Sequence, residues 1–189
     1  MPVRAGQLVV ATPQLGDPNF ARTVVLLLQV DEDDGALGLV LNRPSGTGVD
    51  EVLPDWLELA ADPPVVFAGG PVQPQAAICL GRGRLGGRPS GAFAVLEGVP
   101  GASLGTVDLD STPGVLRSTV DRVRVYAGYA GWGAGQLEDE VADGAWFVLD
   151  ALPADAFSSA PDALWKAVLL RQGPPLAFAA SYPEDPTLN

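Results

Sequence analysis

The sequence contains no histidine, and it contains only one cysteine and one lysine. Without histidine, a Ser-His-Asp triad or a Cys-His pair cannot form, and the side chain that most often transfers protons near neutral pH is missing. Zinc sites built from cysteine and histidine are also excluded, because Cys79 is the one thiol in the chain. We therefore expect no metal site, and any catalysis would have to use carboxylates, tyrosines, Lys166, arginines or backbone amides.

Basic residues are scarce as well. The chain has 11 lysine and arginine residues against 23 aspartate and glutamate residues, which gives a formal net charge of -12 at pH 7. Proteins that bind nucleic acid release counterions through clustered lysine and arginine side chains, so a nucleic-acid partner is not expected and direct DNA binding is disfavoured. The same balance disfavours binding to anionic membrane surfaces.

The chain has no long hydrophobic run. The most apolar segment, residues 23–28, is far too short to cross a bilayer. The first six residues lack the apolar region of a signal peptide, and a single cysteine cannot form an internal disulfide bond. These absences predict a soluble cytoplasmic protein with no membrane association.

What the sequence does contain is sufficient for one domain, with 189 residues of which 47% are hydrophobic. Its 23 glycines and 18 prolines are spread along the chain, which indicates many short elements separated by turns. Predicted strands outnumber predicted helices, and most connections are too short for crossovers. We predict an α+β fold, with a mostly antiparallel or mixed sheet of many short strands and three to four helices packed on it. A single domain should span residues 1–189, with an extended tail at about 174–189.

Two strand predictions concern pairing. Residues 22–30 and 36–41 are apolar runs joined by an acidic turn that ends at Gly35, a pattern typical of a β-hairpin. Residues 7–11 form a short strand that could pair across a homodimer. Nothing in the sequence requires that dimer, so the oligomeric state stays open.

The side chains alternate in the strand that begins at residue 122. This pattern predicts that Val123 and Val125 lie on one face and that Arg122 and Arg124 lie on the other, in a half-buried strand. Upstream, residues 81–91 are rich in glycine and arginine and contain the only basic cluster. That segment is either a mobile solvated loop or the place where an anionic partner binds.

Four blocks of the sequence, taken in order and spacing, are distinctive. They are DPNFARTVVLL at 17–27, GALGLVLNRP at 35–44, FAGGPV at 67–72 and YAGYAGWGAGQLEDE at 126–140. This set resembles the AlgH/YqgE family of bacterial proteins, over residues from about 6 to 165. The resemblance implies a cytoplasmic α+β protein of unsettled biochemical function, in a family named for a proposed role in transcriptional regulation of alginate production.

The chain departs from many members of this family in the second strand. Those relatives carry a cysteine and a histidine two residues apart, where this chain has Leu28 and Val30. A function that this chain shares with them therefore cannot depend on those two side chains. The cysteine of this chain, Cys79, lies elsewhere in an apolar strand and is predicted to be a buried core thiol.

The first candidate binding site is the triplet 42–44, where an apolar strand ends in Asn42 and Arg43. An arginine can hold a carboxylate or a phosphate through two parallel hydrogen bonds. The alternative is a structural arginine that ties a loop and pairs with a carboxylate, for which Asp17 and Glu138 are the candidates.

The second candidate is the glycine-rich stretch 128–138, between a strand and a helix. Backbone amides at such a turn can hold an anion, although neither GxGxxG nor GKS/T is present, so we expect no nucleotide cofactor. The Gly69-Gly70 turn could line the same cleft, and Tyr129 and Trp132 look suited to an exposed recognition surface. The alternative is close packing of these aromatic rings against glycine backbone.

The candidate ligand-binding or partner-binding residues are therefore Asn42, Arg43, Gly69, Gly70, Tyr129, Trp132, Gln136 and Glu138. Because no catalytic constellation is present, the sequence favours a non-enzymatic regulatory protein that binds a protein partner or a small ligand. The alternative is an enzyme or binder of an anionic small molecule that uses Asn42, Arg43 and residues 131–138.

Overall fold

Ten strands form one curled sheet in the computed structural model, which describes residues 2–100 and 103–184. The strands are β1 (Gln7–Ala11), β2 (Val24–Asp31), β3 (Gly35–Val40), β4 (Pro44–Gly48), β5 (Val65–Ala68), β6 (Val72–Gly83), β7 (Phe93–Val95), β8 (Leu104–Val107), β9 (Val120–Trp132) and β10 (Trp146–Asp150). Their order is β10-β1-β2-β3-β9-β6-β8-β7, with β5 also beside β9 and β4 beside β5. Most pairs are antiparallel, and β5 runs parallel to β9.

The predicted α+β class and mostly antiparallel sheet are confirmed, and the helices are more numerous than predicted. The described residues contain α1 (Val49–Val52), α2 (Pro113–Leu116), α3 (Gln136–Ala142), α4 (Leu164–Leu170) and α5 (Leu176–Ala179), with 3₁₀ helices at Pro54–Leu59, Pro153–Phe157 and Pro161–Ala163. All three 3₁₀ helices and α2 begin with a proline, which is preorganised for a first helical turn. Four of the 18 prolines thus begin short helices, which raises the number of helices above the prediction. None of the described helices is long and apolar enough to span a membrane.

β9 is the central strand of the sheet. Its 13 residues pair with β6 along most of their length. β3 pairs with the C-terminal end of β9, and β5 pairs with its middle, at Tyr126 and Ala127. The predicted hairpin at its side is confirmed, because β2 and β3 pair antiparallel across the acidic turn. A shift in register between Leu27 and Gln29 bends that hairpin.

Val123 and Val125 lie on one face of β9 and Arg124 packs on the other, as predicted, but the expectation of a half-buried strand fails at Arg124. Val123 and Val125 are buried in one apolar cluster and Arg122 is exposed, but Arg124 is only 2% exposed. The 3₁₀ helix at Pro153–Phe157 packs over that face of β9, so its carbonyl groups replace water around the guanidinium. This face of β9 is therefore part of the core at Arg124, and the burial lowers the pKa of its guanidinium group.

Cys79 is a buried thiol on β6, as predicted. It packs in the same apolar cluster as Val123 and Val125, and burial raises its pKa to about 12. The thiol is therefore protonated at neutral pH, which suits a core side chain rather than a nucleophile.

The strand β1 cannot serve as the predicted dimer edge. β2 occupies one of its edges and β10 occupies the other, so its ladder hydrogen bonds are satisfied within the chain. The prediction did not anticipate that β10, which lies about 140 residues later, would close this edge.

The segment from residue 174 is not extended throughout, in contrast to the prediction. Residues 176–179 form the one-turn helix α5, because Leu176 and Ala179 pack against the main apolar cluster. Arg22 then holds the carbonyl oxygens of Tyr182 and Pro183. The rest of the predicted tail, residues 185–189, lies outside the described residues, and the single-domain organisation stays a prediction.

Candidate functional site

Asn42 and Arg43 hold the loop between β1 and β2 in place. The Asn42 side chain accepts a hydrogen bond from the Val24 amide at 2.9 Å and donates one to the Arg22 carbonyl at 2.9 Å. Arg43 donates from Nη2 to the Ala21 carbonyl oxygen at 2.8 Å. Asn42 is buried, so both of its polar atoms are engaged in the fold rather than presented to a ligand.

Neither carboxylate considered for Arg43 pairs with it. The three ion pairs found among the described residues are Arg82–Asp121, Arg117–Glu58 and Arg171–Asp155. Asp17 instead accepts a hydrogen bond from the Asn19 amide, within its own loop. The geometry thus matches a structural arginine that ties a loop through carbonyl oxygens.

Gly69 and Gly70 are required by close backbone packing. A Cβ atom at Gly69 would overlap the Gly128 carbonyl oxygen, and one at Gly70 would overlap the Tyr129 carbonyl group. Gly70 also has a φ of +152°, which side chains of L-residues rarely adopt. The turn passes so close to β9 that its amides are used there, since the Gly69 amide donates to the Ala127 carbonyl at 2.9 Å.

Trp132 is buried, which corrects the expectation of an exposed aromatic surface. It is 5% exposed and packs against Phe20 and Trp146, with ring centroids 6.0 and 5.9 Å away. The reason is that Phe20, in the loop before β2, closes over it. Tyr129 lies earlier on the same strand and remains partly exposed.

Glu140, the last residue of the sequence block 126–140, belongs to this region, although it is not among the candidate site residues. Its Oε2 accepts hydrogen bonds from the indole N–H groups of Trp132 at 3.0 Å and Trp146 at 2.8 Å, and its Oε1 accepts one from Gln136 at 2.9 Å. The Gln136 side chain in turn accepts a hydrogen bond from the Gly133 amide. The helical spacing of Gln136 and Glu140 was a usable signal, whereas the two indoles reach the carboxylate only in the folded chain.

The predicted site residues do not lie together: some line separate recesses, and others are packed within the fold. Tyr129 and Trp132 line a recess of about 370 Å³ together with Gln29 and Asp34. Glu138 lines another recess, beside Arg4 and two acidic residues of the β2–β3 turn. Gln136 is tied to Glu140, and the 42–43 and 69–70 pairs are packed into the fold. Neither of these two recesses is lined by all three of the segments 42–44, 69–71 and 132–138.

The described residues of this region form no preformed site for an anion or a metal ion. The Gly133 amide, which could have faced an anion, already donates to Gln136. Glu138 and Glu140 lie on α3, directly after this stretch, and their carboxylates repel anions. The described residues contain no group of three or more carboxylate or cysteine side chains placed to hold a metal ion.

A groove of about 580 Å³ lies over β5, β9 and β6, where β9 has a neighbour on each side. Its floor is a row of three alanines, because Ala127 is the register partner of both Ala68 and Ala77. Ala68 and Ala77 are exposed and Ala127 is half-buried, so the described chain leaves this row uncovered. We call this feature the alanine groove.

The lining of the alanine groove is mostly apolar, with Ser45, Thr47 and Gln75 as its smaller polar part. Val125 continues the floor along β9, and Val52, Leu53 and Leu109 stand beside it. Val52 is 52% exposed, so part of this wall is open to water. All residues that line the groove are uncharged.

Acidic residues are sequence neighbours of two wall residues of the alanine groove. Asp50 and Glu51 lie in the first turn of α1, immediately before Val52. Asp108 and Asp110 flank Leu109 in the sequence. No sequence pattern indicates the groove, because single alanines on three strands form a row only once the register is known.

Comparisons with known proteins agree with the motif-based assignment. The sequence profile described as AlgH-like matches residues 8–177. A UPF0301 protein of Streptomyces coelicolor is 52% identical over 186 residues, covering 97% of this chain and 94% of the relative. One of Mycobacterium tuberculosis is 46% identical over 192 residues, covering 99% and 91% of the two chains.

Two solved structures have the same fold. The crystal structure of a Corynebacterium diphtheriae protein superposes with a TM-score of 0.88 at 29% identity, over 96% of this chain and 94% of that one. The solution structure of the AlgH protein from Pseudomonas aeruginosa superposes with a TM-score of 0.67 at 31% identity, over 97% and 96% of the two chains.

Proposed function

The chain belongs to the AlgH-like family, and from that premise we propose that it is a non-enzymatic regulatory protein of the cytoplasm that holds a segment of a protein partner in the alanine groove. The observation that carries the proposal is the uncovered row Ala68–Ala127–Ala77. The opposite side of the same three strands is packed: the neighbouring register row Phe67–Tyr126–Ile78 faces the main apolar cluster.

An amphipathic helix is the occupant that fits this floor. Alanine side chains are short, so the backbone of an incoming helix can approach the sheet closely and bury its own larger apolar side chains between Val52 and Leu109. Each such side chain would remove apolar surface from water on both partners, which is the main favourable contribution to association.

The partner segment should be cationic on its outer face. The acidic residues that adjoin Val52 and Leu109 in the sequence, with the net charge of -12, favour a negative field around the apolar floor. That arrangement accelerates the encounter with a positively charged segment and rejects acidic ones. A basic amphipathic helix satisfies both the floor and its surroundings.

The catalytic alternative receives less support from the side chains. Arg43 and Gln136 are engaged with protein atoms, and Glu138 faces a different recess from Tyr129 and Trp132. Binding of an anionic small molecule at residues 42–43 and 131–138 would require these contacts to break. The acidic surroundings also argue against DNA as the regulated target.

The test uses defined peptides rather than a search for partners. A synthetic helix of about 18 residues, with alanine and leucine on one face and lysine and arginine on the other, should bind with micromolar affinity, roughly 10 µM or tighter by fluorescence anisotropy. A peptide of the same composition but scrambled sequence should bind at least about tenfold more weakly, because it has no apolar face.

A substitution in the floor of the alanine groove tests whether the peptide binds there. Ala127→Arg fills the groove and adds positive charge, so the amphipathic peptide should lose at least about tenfold in affinity. Ala94→Arg is the matched control, since Ala94 is an exposed β7 residue away from the groove lining. Equal binding of both peptides, or equal losses in both variants, would overturn the proposal.

A further inference from the structure

Half of the arginines in this acidic chain lie at one end of the sheet. Arg82 and Arg122 are register partners on β6 and β9. The Arg84 amide donates to the Thr119 carbonyl, and the Arg88 amide donates to the Ser118 carbonyl, which brings both residues beside Arg117. The five arginines of this basic end are Arg82, Arg84, Arg88, Arg117 and Arg122.

Carboxylates neutralise two of these five cations. Asp121 accepts two hydrogen bonds from Arg82, which hold the pKa of its carboxyl group below the usual range, and the charges of Arg122 and Arg84 act in the same direction. Glu58 pairs with Arg117. Arg84, Arg88 and Arg122 take part in none of the ion pairs of the described residues.

The segment after β6 is clamped rather than free, in contrast to a mobile solvated loop. The Arg84 side chain donates from Nε to the Arg117 carbonyl at 2.6 Å, and the Thr119 hydroxyl donates to the Arg88 carbonyl at 2.7 Å. The Gly87 amide closes the turn onto the Arg84 carbonyl at 2.9 Å. These bonds fix where the two guanidinium groups can reach, which lowers the entropic cost of binding an anion.

A recess of about 240 Å³ opens between this segment and β7. Arg84, Arg88, Ser90 and Ser103 line it with donors, and the Phe93 ring forms an apolar wall. The Ser90 oxygen accepts a hydrogen bond from the Ala92 amide, so its hydroxyl proton is available to a ligand. Among the described residues, no carboxylate lines this recess, whereas the two recesses near the 129–138 region each include acidic residues.

We propose that this recess binds the phosphate group of a small phosphate monoester, with Arg84 and Arg88 as its cationic ligands. Two guanidinium groups and two hydroxyls offer enough donors for the three free oxygens of a monoester, and guanidinium geometry matches that group. The Phe93 wall would face the organic part of the molecule. The small volume of the recess, about 240 Å³, suits a monoester rather than a polyanion.

The experiment titrates the intact protein with inorganic phosphate, glycerol 3-phosphate and ribose 5-phosphate, with ribose as the unphosphorylated control. Backbone NMR shifts should move at residues 84–90 and 93 with the phosphate monoesters and stay unchanged with ribose. Arg84→Gln and Arg88→Gln should each weaken binding about tenfold, because each removes charge-assisted hydrogen bonds. Binding of inorganic phosphate alone would mean a nonspecific anion site and would overturn the monoester assignment.

Matched variants separate a site from general electrostatics. Arg4→Gln changes the net charge by the same amount as Arg84→Gln, but Arg4 lies outside this recess. The affinity of this variant for the monoesters should stay within about twofold of that of the unaltered protein. Ala127→Arg in the alanine groove should leave the affinity for the monoesters unchanged. Failure of the peptide-binding proposal would therefore not imply failure of the monoester proposal. Equal weakening by Arg4→Gln and Arg84→Gln, no shifts at about 10 mM ligand, or tighter binding of a short oligonucleotide than of the monoesters would overturn the assignment.

Discussion

The guanidinium carbon of Arg124 lies 4.3 Å from the centroid of the Phe67 ring, and both side chains are buried. A cation over an aromatic face is stabilised most when neither group is hydrated. The other partners of this guanidinium are the carbonyl oxygens of Asp62, Ala156 and Ser158, which come from two segments distant in sequence. Arg124 therefore joins those segments to the central strand through carbonyl groups and a ring.

Arg124→Met should lower the free energy of unfolding by about 3 kcal/mol, because three carbonyl groups lose their donor while much of the apolar volume remains. Urea denaturation followed by tryptophan fluorescence measures this change. Arg122→Met makes the same change at the exposed neighbour and should cost less than about 0.5 kcal/mol. Similar losses in the two variants would contradict a structural role specific to Arg124.

Glu140→Ala should destabilise the chain by about 2–4 kcal/mol, since the indole N–H groups of Trp132 and Trp146 would both lose their acceptor in a largely buried setting. The tryptophan emission of the native state should also change, because two of the four tryptophans contact this carboxylate. Glu138→Ala, on the same helix but exposed, is the control and should leave both stability and emission nearly unaltered.

The sequence predicted those features that depend on local pattern. Apolar runs separated by an acidic turn determine the β2–β3 hairpin, and the apolar context of Cys79 predicts its burial. These predictions succeed because a two-residue period and turn chemistry act within a few residues of one another.

The predictions that failed depend on distant segments. Arg124 is predicted to be exposed from its own strand, and only the later 3₁₀ helix at Pro153–Phe157 explains why it is buried. Likewise, the role of Glu140 depends on Trp146 across the β9–β10 connection. The alanine groove needs the register of three strands, which a bulge in β6 between Val72 and Ala77 helps to set.

Gly70→Ala should be among the more damaging small substitutions in the chain. An added Cβ would overlap the Tyr129 carbonyl group at a backbone φ of +152°, so the loss should be about 3 kcal/mol or more. Gly46→Ala is the control, because open space surrounds that position and its φ is not positive. A Gly70→Ala protein as stable as Gly46→Ala would instead favour a ligand-facing role for the 69–70 turn.

The Cys79 thiol should be unreactive in the native state at pH 8. Burial raises its pKa from 9.0 to about 12, so the thiolate that attacks aromatic disulfide reagents is almost absent. Reaction in about 8 M urea, a condition that exposes the thiol, should be faster by at least about a hundredfold. Rapid labelling of the folded chain would contradict the burial of this side chain.

The same shift predicts a contribution of Cys79 to the pH dependence of stability. Because the folded-state pKa is raised above 9.0, the folded chain keeps a proton that the unfolded chain releases, so the stabilisation is fully present below pH 9.0 and is lost between pH 9.0 and about 12. In that window, the free energy of unfolding should fall by up to about 1.4 kcal/mol per pH unit more steeply than in Cys79→Ala. Burial also raises the pKa of Tyr126, and the charge of Cys79 acts in the same direction, so the difference between the two proteins includes this coupling as well as the thiol itself. Identical slopes for the two proteins above pH 9.0 would show that the thiol is not desolvated by folding.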